Sequence, residues 1–421
     1  MMMRMLETVP VWQVASVLAV LLWLYVAQNL LLTPRIRAIV QPLVTRQVQK
    51  GVPAVLQLQR NQHPFYDLVL ASTSFVVSVE FYTAFLPLLF WSGHFWFARQ
   101  MTLLMALCMY IGNSVKDLVS APRPPSPPVR RFISTAGEEN SSMEFGLPSS
   151  HTINTICLSM YLLRYLSRHL DEIGSNVFWL TAVALSAIVV MVAYGRMYLG
   201  MHTPVDIAAG IVIGISLLVF WCSIEDYVDL FILQGENVLS FWTSISLLLL
   251  AAYPAPAQPT PSFEYHTAFT GVVLGVVWAT YRMKHYLPTE VLFMGTWAGS
   301  LLLIKRLLIG LPIVLTTKTI SKALVILIFP WVCAWAGVSI RSSSYISKLN
   351  GHGNVAKRGK VDPSNTQESL ESKKNLCWLK LCAPIYQEPL DIDTGIRLFQ
   401  YAVLSWSVVE LAPYIFERLN L

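Results

Sequence analysis

Long apolar runs alternate with short polar ones along almost the whole chain. The apolar stretches fall at about 11–32, 66–92, 98–115, 151–167, 177–195, 204–222, 239–253, 267–281, 291–315, 319–339 and 396–416. Most approach the roughly 20 residues that cross a hydrocarbon core of about 30 Å. Lipid offers backbone groups no water, so these spans are predicted as helices. The expected fold class is all-α, a polytopic membrane helix bundle. Lys305 and Arg306 interrupt the run at 291–315, which reads as two half-spans or a re-entrant pair, and Glu410 and Pro413 leave the last run as a span or an interfacial segment.

The polar pattern divides the chain further. Residues 1–65 read as an N-terminal anchor helix followed by an amphipathic segment, with Arg35, Arg37, Arg46, Lys50 and Arg60 set among Val and Leu. The first run is too long for a signal h-region and lacks a small-x-small cleavage site, so it is expected to stay in the membrane. Residues 66–225 form a core carrying the polar motifs, and 226–340 add further spans. The Ser-, Lys-, Asn- and Gly-rich stretch inside 341–395 is a polar linker expected to be disordered, and 396–421 is a C-terminal apolar segment.

Composition agrees with this picture. Hydrophobic residues make up 55% of the 421 and charged residues 13%, against about 25% charged in soluble domains. A net charge of +6, spread over loops and one motif, argues against a nucleic-acid partner. Four of the six cysteines (Cys108, Cys157, Cys222 and Cys333) lie inside apolar runs as small buried hydrophobes. With no C-x-x-C pair, neither a zinc site nor a disulfide framework is indicated. Cys377 and Cys382, in the basic tail, read as unmodified thiols.

Three polar blocks stand out, each at the end of a predicted span. They are Lys116-Asp117-Leu118-Val119-Ser120-Ala121-Pro122-Arg123-Pro124, Gly146-Leu147-Pro148-Ser149-Ser150-His151, and Gly195-Arg196 through His202-Thr203-Pro204-Val205-Asp206. If the spans at 151–167 and 177–195 both cross, all three emerge on one face of the membrane. Arg123 and Arg196 present planar forks suited to pairs of phosphate oxygens, and Lys116 adds a point charge. Pro122 and Pro124 stop a helix and fix the loop around Arg123. Ser149 or Ser150 would cap a helix starting near His151, whose free amides form an anion site.

Two histidines remain for the chemistry, since imidazole both moves protons near neutral pH and attacks phosphorus. His202 precedes Thr203-Pro204, a helix-start signal, and Asp206 follows four residues on, on the same face if the helix includes both. That carboxylate would hold one ring nitrogen protonated and aim the other at phosphorus, leaving His151 to protonate the departing alkoxide. Thr203-x-x-Asp206 also fits a capping box with Asp in place of Glu. Glu80, inside the second predicted span, is expensive there and is a functional candidate on that ground.

The three blocks resemble the type 2 phosphatidic acid phosphatase superfamily, whose pattern is K-x6-R-P, P-S-G-H and S-R-x5-H-x3-D. Lys116 to Arg123-Pro124, Pro148-Ser149-Ser150-His151 and Arg196 to His202 to Asp206 keep its spacings, with Ser150 where glycine is usual and Gly195 where serine is usual. The resemblance covers about 90 residues, and the surrounding spans fit the family's six-helix core, with additional C-terminal spans beyond it. It implies a phosphatase without metal or cofactor that forms a phosphohistidine. His202 would be the nucleophile, Asp206 its orienting partner and His151 the general acid; Lys116, Arg123, Ser149, Ser150 (through its amide) and Arg196 would hold phosphate. The flanking text is similar to the sphingosine-1-phosphate and long-chain base 1-phosphate phosphatase branch, which implies a sphingoid base phosphate as substrate and the endoplasmic reticulum membrane as location. The ammonium of such a lipid could meet Asp117, Glu138, Glu139 and Glu144 in the same loop.

Other readings stand beside this one. The substrate could be phosphatidic acid, a polyprenyl pyrophosphate or a hexose phosphate. A transporter would be argued from Glu80, Lys305 and Arg306, but the chain shows no internal repeat. A lipid phosphotransferase would need a different third block. The basic residues of 33–65 favour a cytosolic placement for the motif face, whereas the resemblance implies a lumenal site.

Overall fold

A backbone crossing lipid must satisfy its own amides, and helix does so within one segment. The computed structural model describes residues 9–133, 142–258, 260–284, 297–335 and 390–421, together with 139, 337, 340 and 341. Most of the polar linker, with Cys377 and Cys382, lies outside the described residues, as do Glu138 and the side chain of Glu80. The helices are α1 (Val11–Asn29), α2 (Leu32–Leu58), α3 (Pro64–Thr73), α4 (Val79–Trp91), α5 (Phe95–Val119), α6 (Ser150–Arg168), α7 (Ser175–Tyr198), α8 (Pro204–Gln234), α9 (Val238–Ala251), α10 (Ser262–Met283), α11 (Trp297–Trp335), α12 (Ile392–Trp406) and α13 (Ala412–Arg418). Two dipeptides, Ile340–Arg341 and Leu390–Asp391, pair in parallel.

Among the described residues α1, α5, α7, α8 and α11 are long and apolar enough to cross a membrane. The α3–α4 stretch makes a sixth if its 51° bend is counted within one span. The protein is thus a multi-pass membrane bundle, as its hydropathy predicts. The span expected at 66–92 is this bent pair, broken at the 3-10 turn Ser74–Val77.

The C-terminal third differs more. The two spans expected at 291–315 and 319–339 are one continuous helix, α11, of 39 residues, with Pro312 and Pro330 inside it. The two basic residues that suggested a break do not unwind it: Arg306 donates from Nη1 to the carbonyl of Trp91 at 2.7 Å and so finds its partner at the end of α4. The final apolar run lies within the bundle. Leu404, Val408, Val409 and Ala412 are buried, and the indole of Trp91 donates to Val408 O at 3.0 Å. Gly271 and Gly275, four apart on α10, leave no room for a Cβ against Leu398 and Ala402 of α12. In lipid such small residues let helices approach closely where no hydrophobic drive exists.

The core around the motifs is α5, α6, α7 and α8. At the end of this core away from the motifs, Glu225 of α8 is fully buried. It accepts from Tyr161 Oη at 2.6 Å and pairs with Arg164 and Arg168 of α6. A carboxylate buried without these partners would be costly, so this cluster pins α6 to α8 at that end. At the other end, Ser149 N donates to Asp206 O at 3.1 Å, and a Cβ on Gly210 would stand 3.0 Å from Ser149 O. The two helices therefore close up where both of their N-termini carry motif residues.

Candidate active site

Four helix ends meet on one face. Lys116 occupies the last turn of α5, which ends at Ser120 in the left-handed region at φ 51°. The chain then runs through Pro122-Arg123-Pro124, and Gly146 N donates to Ala121 O at 2.9 Å, folding the second motif onto the first. Ser149 caps α6 by accepting from Thr152 N at 3.4 Å, and its hydroxyl oxygen also accepts from Thr152 Oγ1 at 3.0 Å. At the end of α7 the amides of Met201 and His202 both donate to the carbonyl of Arg196, at 3.0 and 3.2 Å. This return turn, with Gly200 at φ 73°, brings His202 back beside Arg196. Thr203 then starts α8, donating from its amide and hydroxyl to Asp206 Oδ2 at 2.7 and 2.9 Å.

The side chains converge. Arg123 donates from Nε to Glu144 O at 2.8 Å and from Nη1 to Met201 O at 2.6 Å, and Nη1 lies 3.3 Å from His202 Nε2. Arg196 donates from Nη1 to Ser74 Oγ at 3.3 Å. Lys116 is ion-paired with Glu144. His151 lies within electrostatic reach of Arg196, His202, Lys116 and Arg123. Lys116, Arg123, Ser149, Arg196, His202 and Asp206 are all buried, whereas His151 and Ser150 are partly exposed. The residues singled out from the three blocks are therefore brought together on one face.

Electrostatics set the state of the imidazole. Burial, then the charges of Arg123, Arg196 and Lys116, hold His202 well below the usual imidazole range, so it is neutral at pH 7 with a lone pair available. Burial pushes the Arg123 guanidinium down to about 10, with Glu144 opposing and Arg196 reinforcing; it stays charged. A buried cluster of three cations beside a neutral imidazole is suited to an oxyanion.

Three placements depart from what spacing alone suggests. His202 Nδ1 is 3.8 Å from Asp206 Oδ2, beyond hydrogen-bond length. Asp206 Oδ2 is engaged in the Thr203 cap, so the capping-box reading is realised, while Asp206 Oδ1 and His202 Nδ1 are buried without a hydrogen-bond partner among the described residues. The acidic residues considered for an ammonium are mostly committed elsewhere. Asp117 accepts from Tyr253 Oη at 2.6 Å and Thr260 Oγ1 at 3.1 Å, and Glu144 holds Lys116, which leaves Glu139 exposed. At Gly195, where the motif usually has serine, a Cβ would lie 3.3 Å from Leu70 O, so the glycine admits α3 against α7.

The contribution of α2 was missed from sequence. Arg37 donates to Asp117 O at 2.9 Å and Leu118 O at 3.1 Å, and Gln41 donates to Ser120 O at 2.7 Å. Gln59 donates to Arg130 O at 2.7 Å and Tyr198 O at 2.8 Å. A Cβ on Gly51 would stand 3.0 Å from Thr203 Cβ and 3.1 Å from Pro204 Cδ. The amphipathic helix thus lies across the motif face and satisfies backbone carbonyls of all but the second block. Its polar positions were legible as amphipathicity; their target was not. Among the described residues no group of three or more His, Cys, Asp or Glu is placed to hold a metal ion.

The chain is similar to several known proteins. The family model described as PAP2 superfamily matches residues 97–229, which span all three blocks. The chain is 45% identical over 421 residues to lipid phosphate phosphatase delta of Arabidopsis thaliana, covering 99% of each. It is 23% identical to a dihydrosphingosine 1-phosphate phosphatase of Schizosaccharomyces pombe, over 91% of this chain and 90% of that one. It is 29% identical to human sphingosine-1-phosphate phosphatase 2 over 39% of each. A solved transmembrane PAP2-type phosphatidylglycerolphosphate phosphatase from Bacillus subtilis aligns with a TM-score of 0.36 at 18% identity, covering 50% of this chain and 96% of that one.

Proposed function

From the premise that this chain belongs to the PAP2 superfamily and is a membrane lipid phosphate phosphatase, we propose that it hydrolyses sphingoid base 1-phosphates through a phosphohistidine on His202. The observation that carries the mechanism is the Arg123 Nη1 to His202 Nε2 approach of 3.3 Å, which supports the reading by pairing a neutral imidazole nitrogen with a guanidinium suited to phosphate oxygens.

Arg123 and Arg196 grip phosphate oxygens, with Lys116 exchanging Glu144 for the substrate. The amides at the start of α6, after the Ser149 cap and including that of Ser150, complete the cradle. In the free site burial and the neighbouring cations hold His151, like His202, well below the usual imidazole range, so His151 takes its proton from the entering phosphate monoester monoanion; His202 Nε2 then attacks phosphorus, the bond to the lipid oxygen breaks, and His151 passes that proton to the oxygen, releasing the long-chain alcohol. Asp206 faces the Nδ1–H side and offsets the positive charge of the phosphorylated ring. Water then attacks phosphorus while His151 takes back a proton. The P–N bond breaks, and inorganic phosphate leaves with His202 regenerated. Every step uses groups of this chain and calls for no metal or cofactor.

The substrate class is supported by the names of relatives: the yeast and human proteins above act on dihydrosphingosine and sphingosine 1-phosphates, while that of the Arabidopsis relative is the broader lipid phosphate. The endoplasmic reticulum membrane is the location implied by the same branch. Phosphate release from membranes containing the chain tests this reading, with excess chelator, sphingoid base phosphate and phosphatidic acid side by side, and His202→Ala as control. Release that survives chelator, favours the base phosphate and disappears in the variant is expected. Dependence on added metal would overturn the mechanism, and equal rates on both lipids would overturn the substrate class.

A further inference from the structure

The connector between α9 and α10, residues 252–261, lies beyond the core that carries the three blocks, yet it is fastened to the first of them. Tyr253 Oη and Thr260 Oγ1 donate to the Asp117 carboxylate at 2.6 and 3.1 Å. Ala257 N donates to Ser120 Oγ at 3.1 Å, and that hydroxyl donates in turn to Asp117 O at 2.6 Å. About one turn before Asp117, Asn113 Nδ2 donates to Ser262 O at 3.2 Å, where α10 begins. Arg37 of α2 bridges the two sides, donating to Asp117 O and to Ala255 O.

The connector is held at its own end too. Prolines at 254, 256 and 261 restrict its backbone. The Tyr253 ring stacks on that of His266, with centroids 5.4 Å apart and planes at 10°. His266 is buried and packs against Tyr110 of α5, with centroids 4.7 Å apart. The phenol is therefore fixed by its ring as well as by its hydroxyl, and both attachments lead to α5.

We infer that Tyr253 and Asp117 are positioning residues for Lys116. The inference rests on the reading above, in which Lys116 holds phosphate. Consecutive residues of an α-helix stand about 100° apart around its axis, so fixing the Asp117 side chain on the connector fixes the direction in which Lys116 leaves the helix. The last turn of a helix has carbonyls without intrahelical donors, and lysine carries its charge on a flexible four-carbon stem, so the base of that stem needs an external anchor. The Asp117 carboxylate is fully buried, a costly state unless it is hydrogen-bonded. Among the described residues its hydrogen-bond donors, Tyr253 and Thr260, both come from the connector. The chain after α9 thus takes part in holding the site, although it contributes none of the motif residues.

The experiment measures binding of orthovanadate, a phosphate mimic, to the full-length protein in lipid nanodiscs. Stabilisation against heat as vanadate is added gives Kd without turnover, so inactive variants can be compared. The probe carries no lipid, and the outcome does not depend on the substrate class proposed above. Tyr253→Phe keeps the ring stack and removes only the hydroxyl. Its Kd is expected to rise about tenfold, the lower end of the roughly 10–100-fold that loss of an orienting partner costs at metal sites. In Lys116→Met, which itself weakens vanadate, adding Tyr253→Phe should change Kd no further. The same rise in Kd with and without Lys116 would mean that the hydroxyl merely holds the fold, and would overturn the proposal. So would an unchanged Kd in Tyr253→Phe. Wild-type protein that does not bind vanadate, or binds it equally well as Lys116→Met, would remove the phosphate-holding role of Lys116, and this inference with it.

Discussion

Arg123 Nη1 donates to the carbonyl of Met201 at 2.6 Å and stands 3.3 Å from His202 Nε2. One guanidinium is thereby fastened to the backbone immediately before the histidine that it faces. The first and third motifs, 79 residues apart, are held in a fixed relation with no ligand required. The arrangement also distinguishes the two ring nitrogens: Nε2 faces the cations, and Nδ1 lies on the Asp206 side, 3.8 Å from Oδ2.

The division of labour between the histidines predicts a dependence on the leaving group. A lipid alkoxide needs a proton to depart, and general acid help of this kind is worth roughly 10²–10⁴-fold. His151→Ala should lose about that much on a sphingoid base phosphate and far less on p-nitrophenyl phosphate, whose phenolate leaves unprotonated. His202→Ala should lose both activities. Steady-state rates on the two substrates decide it; equal losses in His151→Ala would deny it the role of acid.

Asp206 has two tasks that can be separated. Its Oδ2 accepts from Thr203 N and Oγ1, a cap worth typically about 1 kcal/mol, while its charge faces the imidazole. Asp206→Asn keeps an acceptor for the cap and loses the charge. It should melt within a few degrees of wild type yet turn over at a small fraction of the rate. Thermal unfolding in detergent, read beside kcat, checks this; a parallel loss of both would reduce Asp206 to a cap.

The depressed pKa of His202 has a direction in pH. An imidazole of ordinary pKa, about 6.5, would be roughly nine-tenths protonated at pH 5.5. Burial and the three cations hold His202 well below that range, so kcat/KM should fall less between pH 7 and 5.5 than such an imidazole would make it fall. The same shift has a stability cost: below about pH 6.5 the unfolded chain binds a proton that the folded site refuses, and stability declines as pH falls. A tenfold loss centred on pH 6.5 that persists with a substrate whose own titration is moved would contradict the neutral histidine.

Much of this site is legible because its chemistry is concentrated at helix ends. Lys116, Arg123, Ser149, His151, Arg196, His202 and Asp206 interrupt an apolar background, and span parity places their helix ends on one face. What spacing cannot give is the partner of each group. Glu144 lies 28 residues from Lys116, across a Pro-rich loop whose path is set by contacts such as Gly146 N to Ala121 O. The continuity of α11 was hidden for a related reason. Lys305 and Arg306 look like a break until Arg306 is seen to donate to Trp91 O, a residue 215 positions away.

The most remote part of the machinery gives the last prediction. Gly51 sits in the middle of α2, where glycine costs about 1 kcal/mol relative to alanine. Its reason is contact: a Cβ there would press on Thr203 Cβ at 3.0 Å and Pro204 Cδ at 3.1 Å, the corner immediately after His202. Gly51→Val should lift α2 from that corner. The remaining anchors, Arg37, Gln41 and Gln59, bind carbonyls at its two ends and keep the helix on the bundle. The expected result is a protein that folds and stays in the membrane with kcat/KM lowered roughly tenfold, since small misplacements at a reacting centre are costly in rate. Gly51→Ala, with a single methyl to accommodate, should lie between the two. Activity unchanged in Gly51→Val would mean that α2 merely covers the site and does not hold the His202 corner in place.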